Sequence, residues 1–168
     1  MSQGTKPGYT QVRIVTSSDI PAWIALSREY DQYVMEIAQD LTEWYEGSKT
    51  SMSFKDYMNA KISQKEAFIA FDQEKQDCLG IIAISIKNNR ITFFAISHSC
   101  NFAQVGEQLL LHGLNKLNTN AKITINIIKS EAKQIQNQRN LFKEYGFSKL
   151  SDGLENGVSV DVMVRIPD

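Results

Sequence analysis

The residues best placed for chemistry lie between Ile91 and Leu117. There an apolar run meets the polar segment Ser97-His98-Ser99-Cys100-Asn101, and a helical pattern follows with Gly106 in its opening turns. A strand that turns directly into a helix leaves the first helical amides without intrahelical acceptors. The macrodipole adds roughly half a positive charge at the same end, so such a junction suits an anion such as a diphosphate. The amides in question run from Asn101 through Phe102, Ala103, Gln104, Val105 and Gly106 to Glu107, and Gly106 would let a phosphate approach the backbone closely. A plainer reading fits the same residues: Asn101 as N-cap, Gln104 reaching back from N3, and Gly106 and Gly113 admitting close packing on a sheet. His98 directly follows the strand, and an ordinary imidazole pKa of ~6.5 suits proton transfer near neutrality. The competing view of His98 is a solvated turn residue. Cys100 would act as a nucleophile with His98 only if the strand continued far enough to point both side chains the same way. His112, mid-helix and off the apolar face, is expected at the surface. The two histidines and two cysteines show none of the close paired spacings of zinc sites, so no metal is expected.

Something must hold that junction in place, and the pattern along the chain supplies it. Residues Ser2 to Thr10, with Gly4, Pro7 and Gly8, read as a loose leader (1–10), and the rest (11–168) as a single domain. Val12–Val15 alternates as a strand. Thr16-Ser17-Ser18-Asp19 offers N-cap side chains, Pro21 suits a first helical turn, and Ile20, Trp23, Ile24, Val34, Ile37, Ala38 and Leu41 recur at helical spacing, as one long helix or two short ones. A second amphipathic piece surrounds Phe54, Tyr57, Met58 and Ile62. The period then changes to β, predicting strands over Ala67–Phe71, Cys78–Ile86 and Arg90–Ile96 in a meander. Gly106, Leu109, Leu110, Gly113, Leu114 and Leu117 share one face of the helix that follows, and Asn118 to Asn120 mark its end. Ile123–Ile128 is a further strand. Ser130 is expected to cap a helix through Tyr145, with Gly146 at the left-handed C′ position and Phe147 as its hydrophobic contact. Phe147–Leu150 and Val158–Ile166 close the chain around a glycine-containing loop.

Size and charge exclude several classes. A length of 168 residues with 42% hydrophobic content fills one core. The net charge of −1, with both signs interspersed, gives no extended positive field for nucleic acid. Cys78 and Cys100 each adjoin an apolar strand-like run, so a disulfide framework is not expected and a reducing compartment fits. No segment approaches the ~18 uninterrupted apolar residues of a membrane span, and the start lacks a signal-peptide pattern, so a cytoplasmic protein without a membrane partner is expected.

The order is strand, helices, three strands, helix, strand, helix, two strands. Three stretches stand out within it: Val12-Arg13-Ile14-Val15-Thr16-Ser17-Ser18-Asp19-Ile20, the strand-turn-helix ending Gly106-Glu107-Gln108-Leu109-Leu110, and Leu141-Phe142-Lys143-Glu144-Tyr145-Gly146-Phe147. On these the chain after residue 10 resembles the Gcn5-related N-acetyltransferase (GNAT) family as a divergent member. The last stretch is similar to that family's Leu-Tyr-x-x-x-Gly-Phe ending. The resemblance implies an α/β (α+β) fold: one mixed, mostly antiparallel twisted sheet of six to seven strands flanked by about four helices. It also implies acetyl-CoA or another acyl-CoA as co-substrate and an amine as acceptor, in a monomer or homodimer. The diphosphate would lie between Asn101 and Gly106, and pantetheine between splayed strands Arg90–Ser97 and Ile123–Ile128. Two departures are visible. Asn101 and Gln104 stand where the family's phosphate loop has a basic or amide residue and a glycine, and Phe142 stands where a proton-donating tyrosine is common.

Acyl transfer to an amine needs a neutral nitrogen, an oxyanion donor and a route for the leaving proton. For these roles the candidates are a main-chain N–H near Ile96 and Ser97, His98 as base, and Tyr145 in place of the absent tyrosine. Tyr145 has a competing account as packing at a helix end. Trp44, Tyr45 and Tyr57 are candidates to line the acceptor pocket, with Asp31, Glu36, Asp40 and Glu43 either favouring a cationic amine or forming a solvated helix face. A Gly106→Glu substitution is expected to abolish acyl-CoA binding and leave the fold. The alternative to an N-acyltransferase is a catalytically inactive module of the same fold, serving as an acyl-CoA sensor or protein-interaction domain.

Overall fold

A computed structural model describes residues 10–38, 40–49 and 52–167. Its strands are β1 (Thr10–Ile14), β2 (Ala67–Asp72), β3 (Asp77–Ser85), β4 (Arg90–Ile96), β5 (Ile123–Ile128), β6 (Phe147–Glu155) and β7 (Val158–Arg165). The helices are α1 (Ile20–Glu29), α2 (Asp31–Met35), α3 (Thr42–Glu46), α4 (Phe54–Gln64), α5 (Phe102–Lys116) and α6 (Lys133–Glu144). The strands form one sheet of seven in the order β1-β2-β3-β4-β5-β7-β6. Every neighbouring pair is antiparallel except β4 and β5. The leader expected over residues 1–10 lies outside the described residues, apart from Thr10, which opens β1.

The parallel pair is where the sheet opens. β4 and β5 meet at only two positions, Arg90 with Thr124 and Ile91 with Ile125, and then part. Against β3, Ala83 lies opposite Phe93 and Ile84 opposite Ile91, which leaves Thr92 as an extra residue on β4. A bulge of this kind raises the twist and bends its strand, and here it bends β4 just past the last β4–β5 pair.

Consecutive residues after the bulge serve opposite layers. Phe93 packs edge-on against the wholly buried Trp23 of α1 at 5.6 Å, beside Phe54 and Tyr57 of α4. Phe94 instead meets Phe142 of α6 at 5.0 Å, and Phe142 in turn meets Phe147 at 5.1 Å. Each such aromatic pair adds about 0.5–1.5 kcal/mol beyond its buried area. α5 joins α6 on its face, with Gly113 so close to β3 that a Cβ there would lie 2.6 Å from Ile82 Cδ1. α4 is tied down by a buried ion pair. Lys61 Nζ donates to Glu66 Oε1 at 3.1 Å and to the Ile84 carbonyl at 2.6 Å, and Glu66 Oε2 accepts from the Ile86 amide.

The alternative of two short helices over Ile20 to Leu41 holds, and one local expectation, at Ser130, needs correction. The helical spacing from Ile20 to Leu41 is divided between α1 and α2, with α3 following. α1 stops because Tyr30 turns inward and commits its hydroxyl to Ile96 of β4. Ser130 does not cap α6, which begins at Lys133 with Ala132 in the cap position. Its hydroxyl accepts from the Ala132 amide at 3.1 Å and donates to Glu36. The strand expected over Phe147–Leu150 is longer, reaching Glu155. Thr16 and Asp19 form a reciprocal capping box, Arg13 holds Asp19 through two bonds of 2.8 and 2.9 Å, and Gly146 has φ +93°. Asn156 and Gly157, both at positive φ, close the β6–β7 hairpin. Among the described residues no helix is long and apolar enough to cross a membrane.

Candidate active site

Where β4 and β5 part, a cavity of about 630 Å³ opens. Tyr30, Val34, Trp44 and Tyr57 line it from one side of the sheet, and Ile135 and Gln138 of α6 from the other. Its walls thus come from both faces, and it runs through the sheet at the gap. The strand ends contribute Arg90, Thr92, Phe94, Asn126 and Ile128, and the β6–β7 hairpin contributes Glu155 and Asn156. A volume of this size suits a small molecule.

Parting two strands orphans the main-chain groups that would have paired, and buried groups of this kind need partners. Side chains supply them here. The Ile96 N–H donates to the Tyr30 hydroxyl at 3.0 Å, and the Ile96 carbonyl accepts from that hydroxyl and from Gln134 Nε2, each at 2.8 Å. The Phe94 carbonyl accepts from Gln138 Nε2 at 2.6 Å. Burial pushes the Tyr30 phenol up to about 12, against the lowering effect of its bonds with Ile96 and Gln134, so it stays protonated. The main-chain donors expected near Ile96 and Ser97 are both engaged within the protein. The Ile96 N–H is held by Tyr30, and the Ser97 N–H points away from the gap, to the Leu79 carbonyl at 2.8 Å. The splay of Arg90–Ser97 from Ile123–Ile128 is as expected.

Behind the gap, α5 begins next to a second cleft, bounded by Asn101, Phe102, Ala103, Gln104 and Glu107 on one side and by Asn137, Asn140, Leu141 and Glu144 on the other. Asn101 caps the helix as read from sequence, its Oδ1 accepting from the Gln104 amide at 3.1 Å, while Val105 donates to the Asn101 carbonyl. The Phe102 and Ala103 amides have no acceptor within the helix. Gly106 follows the close-packing reading, with α6 rather than the sheet as the neighbour. A Cβ there would lie 2.8 Å from Leu141 Cδ2, so this glycine lets α6 approach α5 rather than a phosphate approach the backbone. The expectation that Gly106→Glu would spare the fold fails for the same reason, because the new side chain would enter the α5–α6 contact.

The other sequence candidates scatter. His98 is exposed and its Nδ1 lies 2.7 Å from Glu29 Oε1, which makes it a paired turn residue outside the cavity lining. Ser97 is buried, with its hydroxyl on Glu29 Oε2 and Ser99. Cys100 contacts the Leu79 and Ser97 carbonyls, and burial pushes its thiol up to about 11, the reverse of an activated nucleophile. Tyr145 donates to Glu107, which with burial pushes its phenol up to about 12; it lies on the α5 side and does not line the cavity. Phe142 is fully buried core. His112 is half-buried rather than at the surface, tilted over Phe68 at 4.6 Å, with burial lowering its pKa. Trp44 and Tyr57 line the cavity as expected, whereas Tyr45 is not part of the lining and donates its hydroxyl to Asp31 Oδ1. Glu36 engages Ser130, Asp40 accepts from the Thr42 amide, and Glu43 lies over Gly157.

Sequence reasoning missed Arg90, Asn126 and Glu155. Glu155 sits at the hairpin tip, and its Oε1 accepts from Asn126 Nδ2 at 2.9 Å. Burial raises its pKa, against the lowering effects of Asn126 and Arg90. The Asn156-Gly157 pair was the signal available: a tight turn there carries Glu155 back over β5. Arg90 has its Nε enclosed without a hydrogen-bond partner.

Held against coenzyme A, the second cleft fits in main-chain donors and amide side chains, while Glu107 and Glu144 oppose a diphosphate. The sheet with its mid-sheet parting, bulge and helix-opened cleft defines an acyl-CoA-dependent transferase fold. A profile described as "Acetyltransferase (GNAT) domain" matches residues 36–164, and the chain belongs to that family. PaiA N-acetyltransferase of Thermoplasma acidophilum, solved with coenzyme A, is similar at 15% identity and TM-score 0.67, over 94% of this chain and 98% of that one. The ribosomal-protein-S5-alanine acetyltransferase of Vibrio fischeri aligns at 12% identity and TM-score 0.62, over 100% and 97%. The yncA protein of Salmonella typhimurium, solved with acetyl-CoA, aligns at 11% identity and TM-score 0.62, over 95% of each chain. No curated protein matches the chain in sequence.

Proposed function

We propose that the chain transfers an acetyl group from acetyl-CoA directly to a primary amine, with the two substrates meeting in the gap between β4 and β5. The observation that carries this reading is the cavity through the sheet at that gap, open to α6 on one side and to α1–α4 on the other. Acetyl-CoA supplies an acyl group activated as a thioester. The Phe102 and Ala103 amides with Asn137 and Asn140 are the groups to hold its diphosphate. Its amide-bearing arm would replace Gln134 and Gln138 on the Ile96 and Phe94 carbonyls, exchanging one set of hydrogen bonds for another. The Ile96 N–H, released by Tyr30, faces the gap and suits the acyl oxygen. Glu155 takes the proton of the incoming ammonium, since burial raises its pKa toward the range a base needs at neutral pH. The new N–C bond forms as the C–S bond breaks, and the proton that the nitrogen sheds on becoming an amide passes to the leaving thiolate, which departs as the thiol. Free Cys78 and Cys100 suit a reducing compartment.

One observation favours a second reading. The side-chain bonds on Phe94 and Ile96 leave the gap-facing main chain self-satisfied, as in a module that binds acyl-CoA weakly and does not turn it over. Titration calorimetry with acetyl-CoA, followed by thiol release on adding an amine panel, separates the two. Binding with release supports the transferase, binding without release supports the module, and no binding removes both.

A further inference from the structure

Two residues of opposite charge, Arg90 and Glu155, line the same cavity without a direct ion pair between them among the described residues. Arg90 opens β4 and Glu155 ends β6; among the described residues no hydrogen bond to the Arg90 guanidinium is found. Only one Glu155 oxygen has a bond, from Asn126. A recessed charge left half-partnered is costly in a folded protein unless a ligand completes it. Arg90 and Glu155 stand on strands three places apart in the sheet order β4-β5-β7-β6, with β5 and β7 between them, and both line the cavity. Trp44 and Tyr57 stand in the same wall, and Thr92, bonded to the Tyr57 hydroxyl at 2.5 Å, adds a polar edge.

We infer that this end of the cavity binds a small zwitterionic amine of the amino-acid type, its carboxylate on Arg90 and its ammonium on Glu155. A guanidinium matches a carboxylate in shape as well as charge, which a lone cation on a flexible stem would not. An ammonium bound at Glu155 is also the nitrogen whose proton Glu155 would accept, so recognition and activation fall on one side chain. A polyamine would meet Arg90 with like charge, and an amine without a carboxylate would leave Arg90 unpaired. The inference rests on the acetyl-transfer reading for the fate of the bound amine, and on the cavity alone for the binding.

Binding is therefore tested without turnover, by calorimetry or ligand-observed NMR on the full chain. The ligands are sets of three: an amino acid, its methyl ester, and the amine lacking the carboxyl group. Wild type should prefer the free amino acid in at least one set by about tenfold or more. Arg90→Gln should erase that preference while leaving the ester's affinity within about twofold, and Arg90→Lys should restore part of it. Equal affinity for all three members of every set, or a preference that survives Arg90→Gln, overturns the proposal. Thiol release from acetyl-CoA on the same panel keeps the two readings apart. Transfer to amines regardless of a carboxylate sinks the zwitterion site alone, whereas carboxylate-dependent binding without any transfer sinks acetyl transfer alone.

Discussion

The two sides of the β4–β5 gap are built on opposite principles. On the α5–α6 side the chain's own side chains take up the space: Gln134 and Gln138 satisfy the Ile96 and Phe94 carbonyls, Leu141 fills the space beside Gly106, and Phe142 is packed between two rings. On the α1–α4 side the cavity keeps Arg90 and Glu155 incompletely paired. A self-satisfied surface gains stability and resists ligands, while a half-paired one loses stability and awaits them. Under the proposed acetyl transfer the α5–α6 side is the donor side, to be opened by exchange, and the α1–α4 side is the acceptor side, already open to a ligand.

Breaking the donor side should show mainly in stability. Phe142→Ala removes a wholly buried ring and should cost about 3–5 kcal/mol in urea denaturation. Breaking the acceptor side should show in rate. Glu155→Gln should lower kcat/KM by about 10²-fold or more, and wild-type activity should fall as pH drops below the raised Glu155 pKa. Its effect on stability has the opposite sense. With its folded pKa raised, Glu155 contributes stability that is fully present below its unfolded pKa and is lost as pH rises through the folded value. Glu155→Gln should therefore unfold at higher urea than wild type at neutral pH, and the gap should close in acid. Tyr30→Phe strips the Ile96 N–H of its acceptor and should cost about 1–3 kcal/mol. Gln134→Ala removes a competitor for the Ile96 carbonyl and should tighten acetyl-CoA binding about threefold to tenfold by calorimetry. His98→Ala, breaking an exposed pair, should change kcat/KM by less than about fivefold; a hundredfold loss would return His98 to the role of base.

The order of strands and helices was readable because its signals are periodic. Leu109, Leu110 and Leu114 share a helix face, and the limits of β4 and β5 coincide with the apolar runs. The site was less readable, because a bulge at Thr92 leaves no periodic trace and the hairpin tip brings Glu155 beside Asn126, 29 residues away in sequence. Gly106 was misjudged for a similar reason. A glycine's spacing says that something approaches closely, not whether it is a ligand or Leu141. β6 was underestimated because Leu150 and Leu154 are exposed and polar residues separate them, so half of that strand looks like loop.

Amide chemical shifts during titration with acetyl-CoA test the central claim most directly. Exchange at the gap predicts the largest changes at Ile96, Phe102 and Ala103 and at the Gln134 side-chain amide, with the Ile96 amide responding as Tyr30 gives it up. Saturating acetyl-CoA that leaves Ile96 and the Gln134 amide unmoved would contradict the claim.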